Sequence, residues 1–151
     1  MDSLRELYQE VILDHGKNPR NFTTPDNATN KALGNNPLCG DQLTVYLKVD
    51  SGFVEDVSFI GHGCAISIAS ASMMTEFIKG KSEDEIKQIF NKFHEMCTDE
   101  GIDKGSIEEL EKLQVLSGVR EYPTRVKCAT LPWHNLLAAL GGEKEVTTDY
   151  D

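Results

Sequence analysis

The stretch Gln42-Leu43-Thr44-Val45-Tyr46-Leu47-Lys48-Val49-Asp50, followed by Ser51-Gly52 and Phe53-Val54-Glu55-Asp56-Val57-Ser58-Phe59-Ile60, decides the fold class. Leu43, Val45, Leu47 and Val49 alternate with Thr44, Tyr46 and Lys48, the period of a strand buried on one face. Asp50-Ser51-Gly52 is a turn signal. The second run, with Val57 and Phe59 on one face, returns as an antiparallel partner. A further short strand is expected near Thr29 to Leu33, which predicts a small three-stranded antiparallel sheet.

On either side of this hairpin the period becomes helical. Leu4, Leu7, Tyr8, Val11 and Ile12 make one apolar face from Ser3 to His15, with Ser3 and Glu6 as a capping box and Gly16 before Asn18-Pro19 as the stop. After Gly61-His62-Gly63, a helix over Ile66 to Ile78 carries Ile66, Ala69, Met73 and Phe77. Its small residues Ser67, Ala69, Ser70, Ala71 and Ser72 permit close packing on the sheet, and Gly80 closes it. Ser82 with Glu85 opens the next, faced by Ile86, Ile89, Phe90 and Phe93. Ser106 with Glu109 opens another, carrying Leu110, Leu113 and Leu116 and ending at Gly118. The last helix begins near Val126 or Cys128 with Pro132 in its first turn. Leu136, Leu137 and Leu140 form its buried side, and Gly141-Gly142 stops it. The pattern predicts an α+β fold, a small three-stranded antiparallel sheet packed against several helices, as one domain over 1–142 with a polar, frayed tail over 143–151.

Composition narrows the function. The chain has 151 residues, room for one core, and 39% hydrophobic with 26% charged residues fits a soluble globular domain. A formal charge of −10 argues against nucleic acid as a partner, because phosphate contacts need clustered Lys and Arg. No basic segment followed by an apolar run reads as a signal peptide, and no apolar stretch approaches the roughly 20 residues of a membrane span. The expected location is the cytoplasm, where the four cysteines read as metal-binding, reactive or buried thiols rather than as disulfides.

Three of those cysteines stand in turn-like or helix-start contexts. Cys39 lies in Asn36-Pro37-Leu38-Cys39-Gly40-Asp41, Cys64 in Gly61-His62-Gly63-Cys64-Ala65-Ile66-Ser67, and Cys128 in Arg125-Val126-Lys127-Cys128-Ala129-Thr130-Leu131-Pro132-Trp133. Residues 40–63 and 65–127 separate them, so only tertiary folding can unite them. If residues 39–41 are extended, Cys39 and Asp41 project to one face and can reach one cation. Cys64 immediately precedes a helix, whose free N–H groups and dipole favour a thiolate. Cys128 is expected at another helix start, with Lys127 and Arg125 favouring its thiolate. Three thiols and a carboxylate can complete a tetrahedral Zn²⁺ site or hold an iron–sulfur cluster. Cys97, beside the acidic run Asp99-Glu100, reads as structural, its pKa raised by those neighbours. His62, close to Cys64, is a candidate ligand or proton carrier but reads first as a loop side chain, and Trp133 reads as packing.

These three motifs together resemble the IscU/NifU-N superfamily over nearly the whole chain, from the first helix to Leu140. The resemblance implies the IscU/SufE-like fold. It favours the SufU branch, whose members are similar to zinc-dependent sulfur-transfer proteins, over the scaffold branch. Lys127 stands where the scaffolds have a histidine. Glu121-Tyr122-Pro123-Thr124-Arg125-Val126 stands where they have a Leu-Pro-Pro-Val-Lys chaperone motif. The interval from Cys64 to Cys128 is longer than theirs. The resemblance implies one Zn²⁺ on Cys39, Asp41, Cys64 and Cys128, with Cys39 accepting persulfide sulfur from a SufS-type cysteine desulfurase for iron–sulfur cluster biogenesis. A SufBCD-type scaffold is the further partner it implies, and Arg125 and Lys127 are auxiliary candidates. The alternative is an assembly scaffold holding a labile [2Fe–2S] cluster.

Overall fold

In the computed structural model, which describes residues 2–98 and 103–147, the alternation that opens the sequence reading becomes strand β2 (Asp41–Asp50). Leu43, Val45 and Leu47 are buried, and the residues between them are more exposed. Strand β2 pairs antiparallel with β3 (Phe53–His62) and with β1 (Asn30–Asn36). Ser51 and Gly52 take φ values of 55° and 82° at the β2–β3 turn, the left-handed pair that a two-residue hairpin loop requires.

The sheet has four strands rather than three, in the order β3-β2-β1-β4, and it is mixed. Strand β4 (Glu145–Thr147) lies parallel to β1 and comes from the segment expected to fray. Gly142, at φ 80°, redirects the chain after the last helix, and the Leu33 N–H donates to the Lys144 carbonyl at 2.8 Å. A polar sequence carries little strand signal. The unpaired edge of β1 supplies the backbone partners instead.

Helix α1 (Asp2–Lys17) precedes the sheet, and the side chains of residues 2–7, including the expected Ser3–Glu6 box, lie outside the description. Helix α2 (Ala65–Ile78) ends ahead of Gly80 at φ 85°, and α3 (Glu83–Thr98) follows. The Ser82–Glu85 capping box forms as read: the Glu85 N–H donates to Ser82 Oγ at 3.2 Å and the Ser82 N–H to Glu85 Oε1 at 3.1 Å.

The next segment departs from its reading. Asp103, not Ser106, caps α4 (Lys104–Glu108), accepting from the Ser106 N–H, while Glu109 pairs with Lys92. Helix α4 makes little more than one turn before a 3₁₀ segment (Glu111–Glu121) that contains Gly118. Leu110, Leu113, Leu116 and Val119 are nevertheless buried. Their spacing of three is itself the 3₁₀ period, so an α-helical stripe and a 3₁₀ stripe look alike there.

Helix α5 (Pro123–Leu140) starts earlier than expected, with Pro123 in its first turn. Pro132 therefore sits inside the helix rather than at its start. In the turn that Pro132 loosens, the Ala129 carbonyl accepts from Ser70 Oγ at 2.6 Å, and Ser70 Oγ also accepts from Trp133 Nε1 at 3.2 Å. Trp133 stacks on Phe93 with centroids 4.5 Å apart, as a packing residue. A second clamp ties α5 to the sheet: Asn135 Nδ2 donates to the carbonyls of Leu43 at 2.9 Å and Ala32 at 3.4 Å. It reaches them over Gly34, where a Cβ would lie 1.5 Å from Asn135 Oδ1. Among the described residues, no helix is long and apolar enough to cross a membrane.

Candidate metal centre

The buried face of β2 begins with a carboxylate. Asp41 continues the inward series of Leu43, Val45 and Leu47, and its register partner on β1 is Asn36. Both polar side chains are fully buried, an arrangement that is costly unless their hydrogen bonds are made. Residues 37–40 connect the two strands. Gly40 takes φ 71°, and the Cys39 N–H donates to the Asn36 carbonyl at 3.3 Å. Cys39 is thus a turn residue rather than an extended neighbour of Asp41, and the turn, not strand alternation, brings its thiol beside the carboxylate.

The end of β3 closes the site from another side. At Gly61 (φ 141°) a Cβ would lie 2.2 Å from the Gln42 carbonyl oxygen. At Gly63 it would lie 2.4 Å from Asp41 Oδ1 and 2.6 Å from Ser67 Oγ. Two glycines here let the chain pass directly over Asp41. Cys64 is the N-cap of α2; its N–H donates to Asp41 Oδ1 at 2.8 Å, and Ser67 Oγ donates to its carbonyl at 3.0 Å.

Helix α5 brings the third thiol. Because the helix starts at Pro123, Cys128 lies in its second turn and is fully buried, not at a helix start. Its Sγ lies 3.2 Å from Cys39 Sγ, and all four cysteines are free thiols. Ligand atoms of Cys39, Asp41 and Cys128 lie within 4.8 Å of one another. Cys64 stands outside that set of three; its N–H donates to Asp41, and its thiol and that of Cys128 shift each other's ionisation.

The thiols share protons unequally. The neighbouring Cys128 thiol, with help from the α2 N–H groups of Ser67 and Ile66, lowers the Cys64 pKa to about 6 against the opposing effects of burial and of Asp41. The helix start contributes to this, as expected, but Cys128 contributes more. Cys128 moves the opposite way from its sequence reading: Cys64 first, and then burial, push its pKa up. Arg125 is exposed, its charge reinforced by Cys64 and by a hydrogen bond to Cys128. Lys127 is half-buried on the same turn, and His62 is exposed at the end of β3. Cys97 lies apart, fully buried on α3, and burial pushes its pKa up to about 12. The acidic neighbours expected to do so lie outside the described residues.

The donor set fits a soft divalent cation. Tetrahedral sulfur ligands about 2.3 Å from zinc lie about 3.8 Å from each other. The 3.2 Å thiol pair and the 4.8 Å limit bracket that spacing, and the missing side chain of Gly63 leaves room for the Asp41 carboxylate beneath it. Asn36 and Ser67 contribute to the site without standing out in the sequence. The signal for Asn36 was its place in the Cys39 motif, one hairpin turn across from Asp41.

The chain as a whole is similar to known proteins. The chain is 42% identical over 146 residues to the zinc-dependent sulfurtransferase SufU of Bacillus subtilis, covering 94% of this chain and 95% of that protein. It is 39% identical over 140 residues to the iron–sulfur cluster assembly scaffold protein IscU of Streptococcus pyogenes, covering 93% and 86%. A crystal structure ascribed to a SUF-system scaffold protein of Fervidobacterium islandicum superposes with a TM-score of 0.79 at 35% identity, covering 90% of this chain and 98% of that one. Residues 7–129 match the NifU-like N-terminal domain model, and the chain belongs to that family.

Proposed function

We propose that this chain is a zinc-dependent sulfurtransferase that takes persulfide sulfur onto Cys39 from a SufS-type cysteine desulfurase, for iron–sulfur cluster biogenesis. The observation that carries this reading is the meeting of Cys39, Asp41 and Cys128 within 4.8 Å, with the Cys64 N–H donating to Asp41. Cys39, Asp41, Cys64 and Cys128 would hold the ion. When bound, zinc supplies a fixed positive charge that keeps these sulfurs as thiolates at neutral pH.

The chain's own residues set up the transfer. Cys39 is half-buried on a turn, as Cys64 is at the helix start, whereas Cys128 and Asp41 are fully buried. The Cys39 thiolate attacks the outer sulfur of the donor's cysteine persulfide. A new S–S bond forms at Cys39, the donor's S–S bond breaks, and its electron pair leaves on the donor thiolate. One S–S bond replaces another, so no external oxidant or reductant is needed. The exposed Arg125 guanidinium stands beside the thiols, where a cation favours the anionic sulfur. Lys127 belongs to the same turn and is the second auxiliary candidate. Leu38 next to Cys39 is 62% exposed and Tyr122 near Arg125 is 60% exposed. Apolar surface around a reactive thiol supports a protein donor rather than free sulfide.

The second reading is an assembly scaffold for a [2Fe–2S] cluster, which the scaffold-named relatives and the three thiols favour. Cys39→Ala tests the first reading: desulfurase stimulated by wild type but not by the variant, monitored as sulfide released from cysteine, is the expected result. Equal stimulation overturns the acceptor role. Metal analysis of protein purified without chelator separates the two readings. About one zinc per chain supports transfer, and iron with acid-labile sulfide supports the scaffold.

A further inference from the structure

Asn36 stands where three parts of the site meet. It is fully buried at the end of β1, and its carbonyl accepts the Cys39 N–H at 3.3 Å. Its amide nitrogen carries two hydrogens and has two acceptors, Asp41 Oδ2 at 3.3 Å and Cys128 Sγ at 3.8 Å. The other Asp41 oxygen takes the Cys64 N–H at 2.8 Å. Both carboxylate oxygens are therefore held, one from the β3–α2 junction and one from Asn36. The Asn36 Oδ1 is buried with no hydrogen-bond partner among the described residues. Leaving such an atom unpaired costs about 1–3 kcal/mol, so Asn36 is a poor choice for packing alone. Its two donors are what a leucine of the same shape could not supply.

We infer that Asn36 is a positioning residue: it aims Asp41 and Cys128 at a shared metal ion while leaving the thiol of Cys39 free of its side chain. The inference rests on the zinc reading above. It also divides the site chemically. Asn36 steadies the two buried ligands that keep the ion, and through its backbone alone it shapes the turn that presents the sulfur acceptor. Outer-shell donors of this kind orient ligands and hold metal affinity.

The test compares wild type with Asn36→Leu and Asn36→Ala in competition with a chromogenic zinc chelator, alongside thermal unfolding of the zinc-free proteins. In both variants the zinc dissociation constant should rise about 10–100-fold. Zinc-free Asn36→Leu gives up the unpaired oxygen but also leaves Asp41 Oδ2 without its amide donor, so its unfolding temperature should stay level or fall. A residue serving structure alone would lower the unfolding temperature while leaving the zinc affinity and the geometry of the bound metal unchanged. Cobalt-loaded Asn36→Leu should also show altered ligand-field bands in the visible, reporting a changed Asp41 and Cys128. If the leucine variant does not fold, the alanine variant carries the same affinity comparison. Wild type that binds zinc, with both variants matching it, overturns this inference alone. Wild type that takes up no zinc overturns the reading of the site together with it.

Discussion

Cys97 shows how burial alone can silence a thiol. It has no exposed surface, and its pKa is pushed up to about 12 by desolvation, with Arg120 pulling weakly the other way. In the native protein it should resist iodoacetamide at pH 8 while remaining reactive after denaturation, as read by mass spectrometry of the labelled peptides. Linkage gives a second readout. Unfolded, the thiol ionises near its ordinary value of 9.0; folded, it stays protonated until about 12. The unfolded state thus binds fewer protons in that window. The stabilisation is fully present below about pH 9 and is lost as pH rises toward about 12. Urea unfolding of Cys97→Ala should lose less stability than wild type across that alkaline range. Equal slopes would mean that Cys97 ionises alike in both states. Cys97 was read as structural from its context, and the cause found among the described residues is burial. Burial depends on what packs over α3, and no local residue records that.

At the scale of elements, the site depends on how α5 is hung from the sheet. Asn135 reaches two strand carbonyls because Gly34 leaves the space, and this fixes the rotation of the helix that carries Cys128. In Gly34→Ala the new methyl would meet an amide that cannot retreat without releasing the Leu43 carbonyl. Overpacking of this kind costs about 1–3 kcal/mol, measurable as a lower urea midpoint with an unchanged slope. An unchanged midpoint would show that Asn135 does not clamp the helix. The hairpin β2–β3, the Ser82–Glu85 box and the glycine stops of α2 and α5 were legible because each depends on residues a few positions apart. The start of α5, the internal Pro132 and the 3₁₀ segment were not. Ser70 and Trp133 brace the Pro132 turn from within the core, and leucines spaced by three suit either helix type.

Across the whole molecule, the candidate ligands join the β1–β2 turn, the β3–α2 junction and α5, segments far apart in the chain. The hydrophobic core lies beside this junction: Leu43, Val45, Phe59, Met74, Trp133 and Leu136 belong to one buried cluster drawn from the sheet, α2, α3, the 3₁₀ segment and α5. Stripping zinc with a chelator should therefore leave the far-ultraviolet circular dichroism nearly unchanged. Thermal unfolding should fall, since ligand that binds only the native state stabilises it by about 4 kcal/mol at a thousandfold excess over its dissociation constant. Hydrogen exchange should accelerate at residues 36–41, 63–67 and 125–130 and not across the centre of β2. Global unfolding on zinc removal would instead make the metal a structural staple.

The amino-acid sequence by itself determined the α+β class, the hairpin and helices and, through three separated motifs, which thiols to consider. These follow from side-chain period, turn chemistry and residue type, all local properties. Only the tertiary structure decided that Cys39 reaches Asp41 by a turn, that Cys128 is buried deep in a helix, that Asn36 bonds to both Asp41 and Cys128, and that the tail adds a fourth strand. Each of those outcomes depends on contacts between segments tens of residues apart. The free energy of such contacts is set by packing and buried hydrogen bonds, and it leaves no periodic trace along the chain.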